Sequence, residues 1–341
     1  MTGEGDSALA VSSTFVIDRE AFAVLGEKLV RQQLQAFARS TRVEVDLENG
    51  ARLLLRGTDL AHHTADPYLR DNVHMLPVEV NDDDYANFHA HLAEYDLCME
   101  DSWTGYFVAQ CLAERSAHEP LVFIHLDDHT DMMSTLLSLT SDGLKDPSIG
   151  ERFDPVVPED WKSAIRSGAV GIGDFVTALY YLKQPVHVLH LNHVANSRYE
   201  RYHVVPHTIT HPLLPRVRFA AIDKRPRKLG GQLGTYIAGS SVKRLLNSLP
   251  KGRVIVHIDL DYFINDYNGN IDTAPARSVG ELREHASILM MTFFDGIRST
   301  GVSVDRWIIA TSPGFCSARH WRWLLDELST HIRAATQVFP D

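Results

Sequence analysis

The chain has 341 residues, of which 44% are hydrophobic and 23% are charged. This composition is ordinary for a globular protein, and it excludes a mainly disordered chain, a fibrous protein and a small disulfide-stapled domain. The 44 acidic and 33 basic side chains give a formal net charge of −11. Because an acidic surface repels phosphate, we expect no nucleic-acid partner.

Residues 1–12 are small and polar, and they predict a flexible tail. They carry no basic region followed by a long apolar run, and no apolar stretch of the chain approaches the length of a membrane span. The three cysteines, Cys98, Cys111 and Cys316, are far apart and form no CxxC pair, which predicts buried thiols in a reducing compartment. We therefore expect a cytoplasmic protein with no membrane partner.

The next part of the chain, 13–70, predicts a small α+β extension. Apolar residues recur at helical spacing over 15–39, which predicts a helix. The segment 42–57 alternates apolar and polar residues on both sides of Asn49-Gly50, which is typical of a β-hairpin. The extension either stands apart from the main sheet or adds edge strands to it.

From residue 71 to residue 341, short apolar runs alternate with helical patterns, which predicts one α/β domain with a mostly parallel central sheet. In such sheets the functional site lies at the carboxyl ends of the strands. The predicted strands lie at 96–99, 120–127, 186–192, 218–223, 253–261 and 306–312. The predicted helices lie at 103–116, 159–167, 174–183, 239–248, 278–300 and 318–335.

Two of these strands end in carboxylates. The segments 123–131 (FIHLDDHTD) and 255–263 (IVHIDLDYF) both begin with a strongly β-forming apolar run. Ionised carboxylates at the end of a buried strand repel one another and lose their solvation. Neither segment contains a lysine or an arginine, so a divalent metal ion is the economical counter-charge.

The spacing within each segment strengthens the metal hypothesis. Asp127, His129 and Asp131 form D-x-H-x-D, while Asp259 and Asp261 form D-x-D. Alternate residues of an extended chain point the same way, so each segment directs its ligands at one place. One imidazole and four carboxylates suit Mn²⁺ better than a structural Zn²⁺. The set predicts a two-metal hydrolytic site that activates water near neutral pH.

These motifs resemble those of the arginase/deacetylase superfamily, and more closely the branch that contains the peptide arginases of ribosomal peptide biosynthesis. The resemblance covers about residues 71–335 and implies a three-layer arginase-like fold. It implies hydrolysis of a guanidino group, with an arginine-containing precursor peptide or a small guanidino compound as substrate, and with ornithine and urea as products of peptidyl arginine. The residues that carry it are Glu100-Asp101-Ser102, 125–131, 258–263 and Ser312-Pro313-Gly314-Phe315.

The resemblance also implies a role for each matched residue. Asp127 and Asp259 match the central or shared ligands of the two ions. His129 and Asp261 match ligands of one ion, and Asp131 matches a ligand of the other. The proton for the leaving amine would come through Asp261 or a nearby histidine.

One position departs from the family pattern in a way that affects the metal count. The family places a histidine ligand of the first ion where this chain has Ser102, and serine is a much poorer ligand. That site is therefore weak, uses Asp101 or Glu100, or is empty. His89 and His91 would substitute only if the alignment were shifted.

Two further departures concern the substrate. Arginases hold the guanidinium with a glutamate at the end of a late strand, but here the strand over 308–312 ends without an acid. Recognition would then come from Asp174, from Asp266 or from metal-bound solvent, and Ser312 is a candidate for a supporting or substrate contact. The histidine that shuttles protons in arginases has no counterpart in 132–149.

Other histidines stand near the motifs. His125 and His257 each precede a predicted ligand by two residues, so they either orient ligand carboxylates or are neutral core residues. His190 or His193 ends a predicted strand that faces the site and is a candidate general acid. The glycine-rich segment 230–234 predicts a flexible loop.

Three functions remain open at this stage, with guanidino hydrolysis favoured. The first alternative is a mononuclear amide hydrolase of the deacetylase type, which the loss of the histidine at Ser102 favours. The second is a non-catalytic peptide-binding protein on the same fold. Deacetylases of the superfamily lack acids at the positions of Asp131 and Asp261, and their presence here favours the two-metal enzyme.

Overall fold

The computed structural model of the chain describes residues 12–17, 19–37, 41–46, 52–58, 65–80, 85–113, 119–193, 199–228, 230–268, 270 and 278–337. Over these ranges the chain is a mixed α/β protein with one large open sheet and a small separate sheet. No helix within them is long and apolar enough to cross a membrane. Apart from Ser12, the predicted tail lies outside the described residues.

The N-terminal unit is a three-stranded antiparallel sheet with one helix. Its elements are β1 Ser12–Val16, α1 Arg19–Phe37, β2 Thr41–Asp46 and β3 Arg52–Thr58. The order β1-β3-β2 confirms the hairpin and shows a sheet of its own rather than edge strands of the main one. The helix prediction is wrong at its start, where 15–16 belong to β1, and α1 is interrupted at Gly26. Val30 and Leu34 attach α1 to the main core.

The large sheet has twelve strands in the order β4-β5-β15-β14-β6-β10-β13-β11-β12-β7-β8-β9. Their bounds are β4 His89–His91, β5 Asp96–Cys98, β6 Leu121–Leu126, β7 Ser138–Thr140, β8 Gly143–Asp146, β9 Glu151–Phe153, β10 Val186–Leu191, β11 Glu200–His211, β12 Leu214–Arg225, β13 Gly234–Gly239, β14 Arg253–Asp259 and β15 Arg306–Ala310. The run from β5 to β13 is parallel, and the strands outside it pair antiparallel. The prediction of a mostly parallel sheet therefore holds for the centre only.

The helices after the N-terminal unit are α2 Leu69–Asn72, α3 Thr104–Ala113, α4 Pro158–Ser167, α5 Phe175–Tyr180, α6 Val242–Leu246, α7 Val279–Thr300 and α8 Trp321–Gln337. Helices α3 to α7 lie between strands of the parallel centre along the chain, as the alternating pattern predicts, while α2 precedes the large sheet and α8 follows its last strand. The longest, α7, begins with a capping box in which Ser278 and Glu281 satisfy each other's backbone N–H groups. It is capped after Thr300 by Gly301, whose φ of 65° lies in the left-handed region that favours glycine.

The centre of the sheet is buried on both faces. Along β6, Leu121 and Phe123 belong to one apolar cluster, while Val122 and Ile124 belong to the other. Helices α3, α4 and α5 contribute to the first cluster, and α6, α7 and α8 contribute to the second. This double burial explains why the central strands are nearly continuous apolar runs. It also means that a polar side chain at their carboxyl ends enters a dry environment.

Residues 230–233 form a turn and an irregular segment, as the loop prediction expects, but Gly234 does not belong to the loop. Gly234 is the first residue of β13, a fully buried strand that pairs parallel to β10. A Cβ atom at this position would lie 1.7 Å from the backbone oxygen of Val186. The glycine is therefore required by the close approach of two strands, and the predicted helix at 239–248 shortens to α6 because β13 extends to Gly239.

Candidate metal centre

The strand register brings the predicted ligands together. In the pairing of β6 with β14, Leu126 lies opposite Ile258, so Asp127 and Asp259 follow at adjacent strand ends. Both carboxylates are buried, as is Asp261 in the 3₁₀ turn that follows β14. The two sequence motifs thus converge at one place, as their spacing predicts.

The first cluster that can hold a metal ion consists of Asp127, His129 and Asp261. The Nδ1 atom of His129 lies 2.9 Å from Oδ2 of Asp261 and 3.4 Å from Oδ1 of Asp127. Local backbone bonds hold the carboxylates, since His129 N donates to Asp127 at 2.6 Å and Asp261 N donates to Asp259 at 3.1 Å. The ligand atoms are therefore preorganised by the turns in which they lie.

The loop after β14 orients the imidazole of His129. Its Nε2 atom lies 3.1 Å from Oδ1 of Asn268, an acceptor, so Nε2 carries the proton and Nδ1 is left to bind a metal. Asn268 has a φ of 46°, and its backbone N donates to Oδ1 of Asn265 at 2.7 Å. Our sequence reasoning missed this support. The only signal for it is the series of asparagines that follows the D-x-D motif.

The second cluster that can hold a metal ion consists of Asp101, Asp127 and Asp131, all buried. Oδ1 of Asp101 and Oδ2 of Asp127 have no hydrogen-bond partner among the described residues, a costly state for a buried carboxylate. Asp131 has a φ of 48°, an unfavourable conformation for aspartate. A cation between these oxygen atoms would compensate both costs.

The pKa shifts also indicate that these buried carboxylates need a compensating positive charge. Burial, followed by the charge of Asp131, raises the pKa of Asp101 and of Asp127 well above the ordinary range. Burial and the charge of Asp261 do the same to the pKa of Asp259. Burial lowers the pKa of His129, but contact with Asp261 outweighs burial and raises this pKa to about 10. The metal-free centre therefore retains protons that a divalent ion would displace.

A row of buried histidines lies beneath these clusters, because His125 stands opposite both His190 and His257 in the strand register. His125, Asp127 and His257 form a third group of residues that can hold a metal ion. The ring of His190 is occupied at both nitrogens, by the hydroxyl of Tyr236 at 2.7 Å and by the carbonyl of Asp127 at 2.9 Å. Burial lowers the pKa of His190 to about 3. His190 therefore supports Asp127 and does not suit the general-acid role.

A cleft of about 450 Å³ opens above the clusters. No lysine or arginine is present among the described residues that line it. Its polar lining consists of Glu100, Asp101, His129, Thr130, Asp131, Asp259 and Ser312, and its apolar lining includes Met99, Met133, Ile172, Pro313 and Phe315. A larger depression of about 860 Å³ surrounds Arg306 at the opposite end of β15. It lies away from the predicted ligands.

Two of the supporting candidates from the sequence lie beside the cleft. Ser312 lines it, hydrogen-bonds to Asp259 and has a φ of 52°. Ser102 is fully buried and turns its hydroxyl to Glu100, with Oγ 3.4 Å from Oε2. Of the residues that our sequence reasoning offered as substitutes for the missing histidine, Asp101 alone belongs to a described metal-binding cluster.

The remaining candidates lie outside the cleft lining. Asp174 is buried and accepts a hydrogen bond from the backbone of Gly171 at 3.0 Å. Asp266 is paired with Arg319 and His320, so it does not suit guanidinium recognition. The Nε2 atom of His193 contacts the carbonyl of Tyr262, and this position does not suit a general acid.

The two histidines that a shifted alignment would offer as ligands are also elsewhere. His89 stacks on Trp103 with 3.8 Å between ring centroids, and Nδ1 of His91 lies 2.6 Å from Asp96.

No family model matches the chain, and no curated protein matches it. The functional assignment therefore depends on the two clusters and on the cleft above them.

Proposed function

We propose that this chain is a metal-dependent hydrolase of guanidino groups on an arginase-like three-layer fold, with Mn²⁺ as its metal. The substrate is a peptidyl arginine of a precursor peptide or a small guanidino compound. The products are ornithine, or the corresponding amine, and urea. Support comes from the buried ligand clusters, from the charge of the cleft and from its apolar wall.

An excess of negative charge carries the proposal. Six carboxylates lie in the clusters or line the cleft, whereas two divalent ions supply only four positive charges. The centre therefore stays negative when it is loaded, and it favours a cationic guanidinium over a neutral acyl amide. The six are Glu100, Asp101, Asp127, Asp131, Asp259 and Asp261.

The lining of the cleft suits an arginine side chain. Met99, Met133 and Phe315 provide apolar surface for its methylene groups. Glu100 lies in the same lining and offers carboxylate oxygens to guanidinium N–H groups. Glu100 thus takes the role for which the sequence suggested Asp174 or Asp266.

The residues present fit two Mn²⁺ ions. Asp127, His129, Asp131, Asp259 and Asp261 would hold them, since all five are at the convergent strand ends and Mn²⁺ accepts such oxygen-rich ligand sets. Bound ions of this kind lower the pKa of water and stabilise developing negative charge. Hydrolysis adds water across the guanidino C–N bond, so a proton must reach the leaving amine.

Among the described residues, Asp261 is the best placed for this proton transfer. Its carboxylate contacts His129 and accepts from the backbone N of Asp128 at 3.4 Å, so its position is fixed at the centre of the site. Both ring nitrogens of His190 are occupied, and Nε2 of His193 contacts the carbonyl of Tyr262. Asp261 therefore combines metal binding with proton transfer in this proposal.

The test uses metal-stripped protein reloaded with Mn²⁺ and two matched peptides, one with a central arginine and one with a central acetyl-lysine. We expect urea release and a product lighter by one CH₂N₂ unit from the arginine peptide alone. Asp259→Asn should lose this activity by at least about 100-fold, because it removes a ligand charge. Acetate release from acetyl-lysine without ornithine formation would instead identify the deacetylase alternative. Metal binding with no turnover of either peptide would contradict both enzymes.

A further inference from the structure

A 3₁₀ turn determines which side chain of the Glu100-Asp101-Ser102 segment enters the metal centre. The turn covers Asp101–Trp103, two residues after β5 and immediately before α3. Trp103 anchors it, because its Nε1 donates to the carbonyl of Ala86 at 2.7 Å and its ring is fully buried. In this geometry Ser102 faces Glu100, while Asp101 lines the cleft.

We infer that Asp101 is a metal ligand, and that with Asp127 and Asp131 it forms an all-oxygen site for a hard cation such as Mn²⁺ or Mg²⁺. The inference deepens the proposed function and depends on its metal chemistry. The sequence left three alternatives for the first metal site: weak, held by other ligands, or empty. The inference chooses a site in which the carboxylate of Asp101 is a ligand.

The contacts of Asp101 support this assignment. Its side chain is more than nine-tenths buried, its Oδ1 has no hydrogen-bond partner among the residues described, and it lines the cleft. One oxygen each of Asp101, Asp127 and Asp131 lie within 4.8 Å of one another, a separation that one shared ion can span. At this separation the carboxylates of Asp101 and Asp131 repel each other, and a cation between them would remove that repulsion.

The assignment makes the two metal sites chemically unequal. The cluster with His129 offers an imidazole nitrogen, which Zn²⁺, Mn²⁺ and other transition ions accept. The cluster with Asp101 offers oxygen atoms only, which favours Mg²⁺, Ca²⁺ or Mn²⁺. Zn²⁺ should therefore load the first cluster preferentially, whereas Mn²⁺ should load both.

The experiment measures Mn²⁺ binding to metal-stripped full-length protein by calorimetry, with electron paramagnetic resonance to detect a coupled pair of ions. We expect two ions for the wild type and one for Asp101→Asn, or a second ion bound at least 10-fold more weakly. Ser102→Ala is the matched control from the same turn and should keep both ions. Two ions of unchanged affinity in Asp101→Asn, or a lost ion in Ser102→Ala, would overturn the inference.

A second variant keeps the test informative if Asp101→Asn is unstable. Asp101→His places an imidazole in the oxygen-only cluster, and it should retain two Mn²⁺ ions while binding a second Zn²⁺ at least 10-fold more tightly than the wild type. An unchanged Zn²⁺ affinity would mean that residue 101 does not contact the metal.

The outcomes separate this inference from the proposed function. Two ions in the wild type and one in Asp101→Asn, without urea release from an arginine peptide, would overturn the guanidino hydrolase and leave Asp101 as a ligand. Urea release by an Asp101→Asn variant that keeps both ions would support the guanidino hydrolase and overturn Asp101 as a ligand. Binding of one ion by the wild type would overturn the Asp101 site.

Discussion

The Nδ1 atoms of His125 and His257 lie 2.9 Å apart in the buried row beneath the metal centre, so one ring donates to the other. Nε2 of His125 faces Asp131 at 3.4 Å and Asp127 at 3.6 Å. Neither contact is a hydrogen bond, and Nε2 of His125 has no hydrogen-bond partner among the described residues. The histidine pair therefore supports Asp131 and Asp127 from below through close polar contact and packing.

This relationship predicts that His125→Phe weakens metal binding while the fold is retained. Phenylalanine fills a similar volume, but it removes the ring nitrogen that lies beside the two carboxylates, so we expect about 10–100-fold lower Mn²⁺ affinity. Calorimetric titration of the stripped protein measures the change. His187→Phe, on β10 with its ring bonded to Thr235, is the control and should bind Mn²⁺ normally. An unchanged affinity in His125→Phe would contradict the positioning role.

The buried charges of the centre predict a coupling between metal content and thermal stability. An ion at a free concentration of about 100 times its Kd stabilises the native state by about 2.7 kcal/mol, so chelation should lower Tm. Asp259→Asn should abolish this dependence and also stabilise the metal-free protein by about 1–2 kcal/mol at neutral pH. Burial and the charge of Asp261 raise the pKa of Asp259, which costs folding free energy at neutral pH, and asparagine does not carry this cost. Differential scanning calorimetry with and without chelator measures both effects.

A buried aspartate outside the centre serves as the control for this prediction. Asp146 accepts hydrogen bonds from Ser148 and Ser167, and these bonds are lost or weakened in Asp146→Asn. That variant should be less stable than the wild type, yet it should keep the full metal-dependent rise in Tm. A metal-free Asp259→Asn protein that melts below the wild type would show that repulsion does not dominate at Asp259.

The sequence is sufficient for the parts of the centre that lie on strand ends. Alternation along extended chains predicts that Asp127 and His129 converge with Asp261, and they do converge. The side chains are held, however, by the turns that follow β6 and β14 rather than by continued strands. The same reasoning cannot choose between Asp101 and Ser102. Their directions depend on a short 3₁₀ turn, whose orientation is set by packing of Trp103 in the core.

The strands of the large sheet also differ in how well the local sequence pattern predicts them. The strands that form the parallel centre are apolar runs with clear ends, and all but β13 were predicted. The sequence does not predict β13, because this strand begins at Gly234 in a glycine-rich segment that is typical of a loop. Gly234 is needed there because the backbone of Val186 on β10 lies too close for a side chain. The hairpin of β11 and β12 has an irregular burial pattern and was found only in part.

The proposed role of Glu100 predicts an effect on substrate binding that is separate from metal binding. Glu100→Gln removes the charge that faces the guanidinium, so KM for an arginine peptide should rise about 10-fold or more. The change in kcat should be smaller, and the protein should still bind two ions. Steady-state urea release and metal analysis measure these quantities. Glu94→Gln, whose side chain lines the distant depression around Arg306, is the control. An unchanged KM in Glu100→Gln would assign guanidinium recognition elsewhere.

Packing behind the 3₁₀ turn predicts that Gly105 cannot accept a side chain. Gly105 lies at the start of α3, and a Cβ there would come 2.0 Å from the ring of Trp161. That ring is fully buried and is held by a hydrogen bond from Nε1 to the carbonyl of Pro155 at 3.0 Å, so it cannot move aside without further loss. Gly105→Ala should therefore lower the free energy of unfolding by about 1–3 kcal/mol.

The matched control is Gly280→Ala, in the first turn of α7, where a Cβ meets no atom within 4 Å. Alanine should be neutral there or stabilise the helix by up to about 1 kcal/mol. Urea denaturation in Mn²⁺-containing buffer measures both variants. Because α3 follows the turn that carries Asp101, Gly105→Ala should also weaken the second Mn²⁺ more than the first. Equal stability of the two alanine variants would contradict the packing of α3 against Trp161, and with it the rigid placement of Asp101.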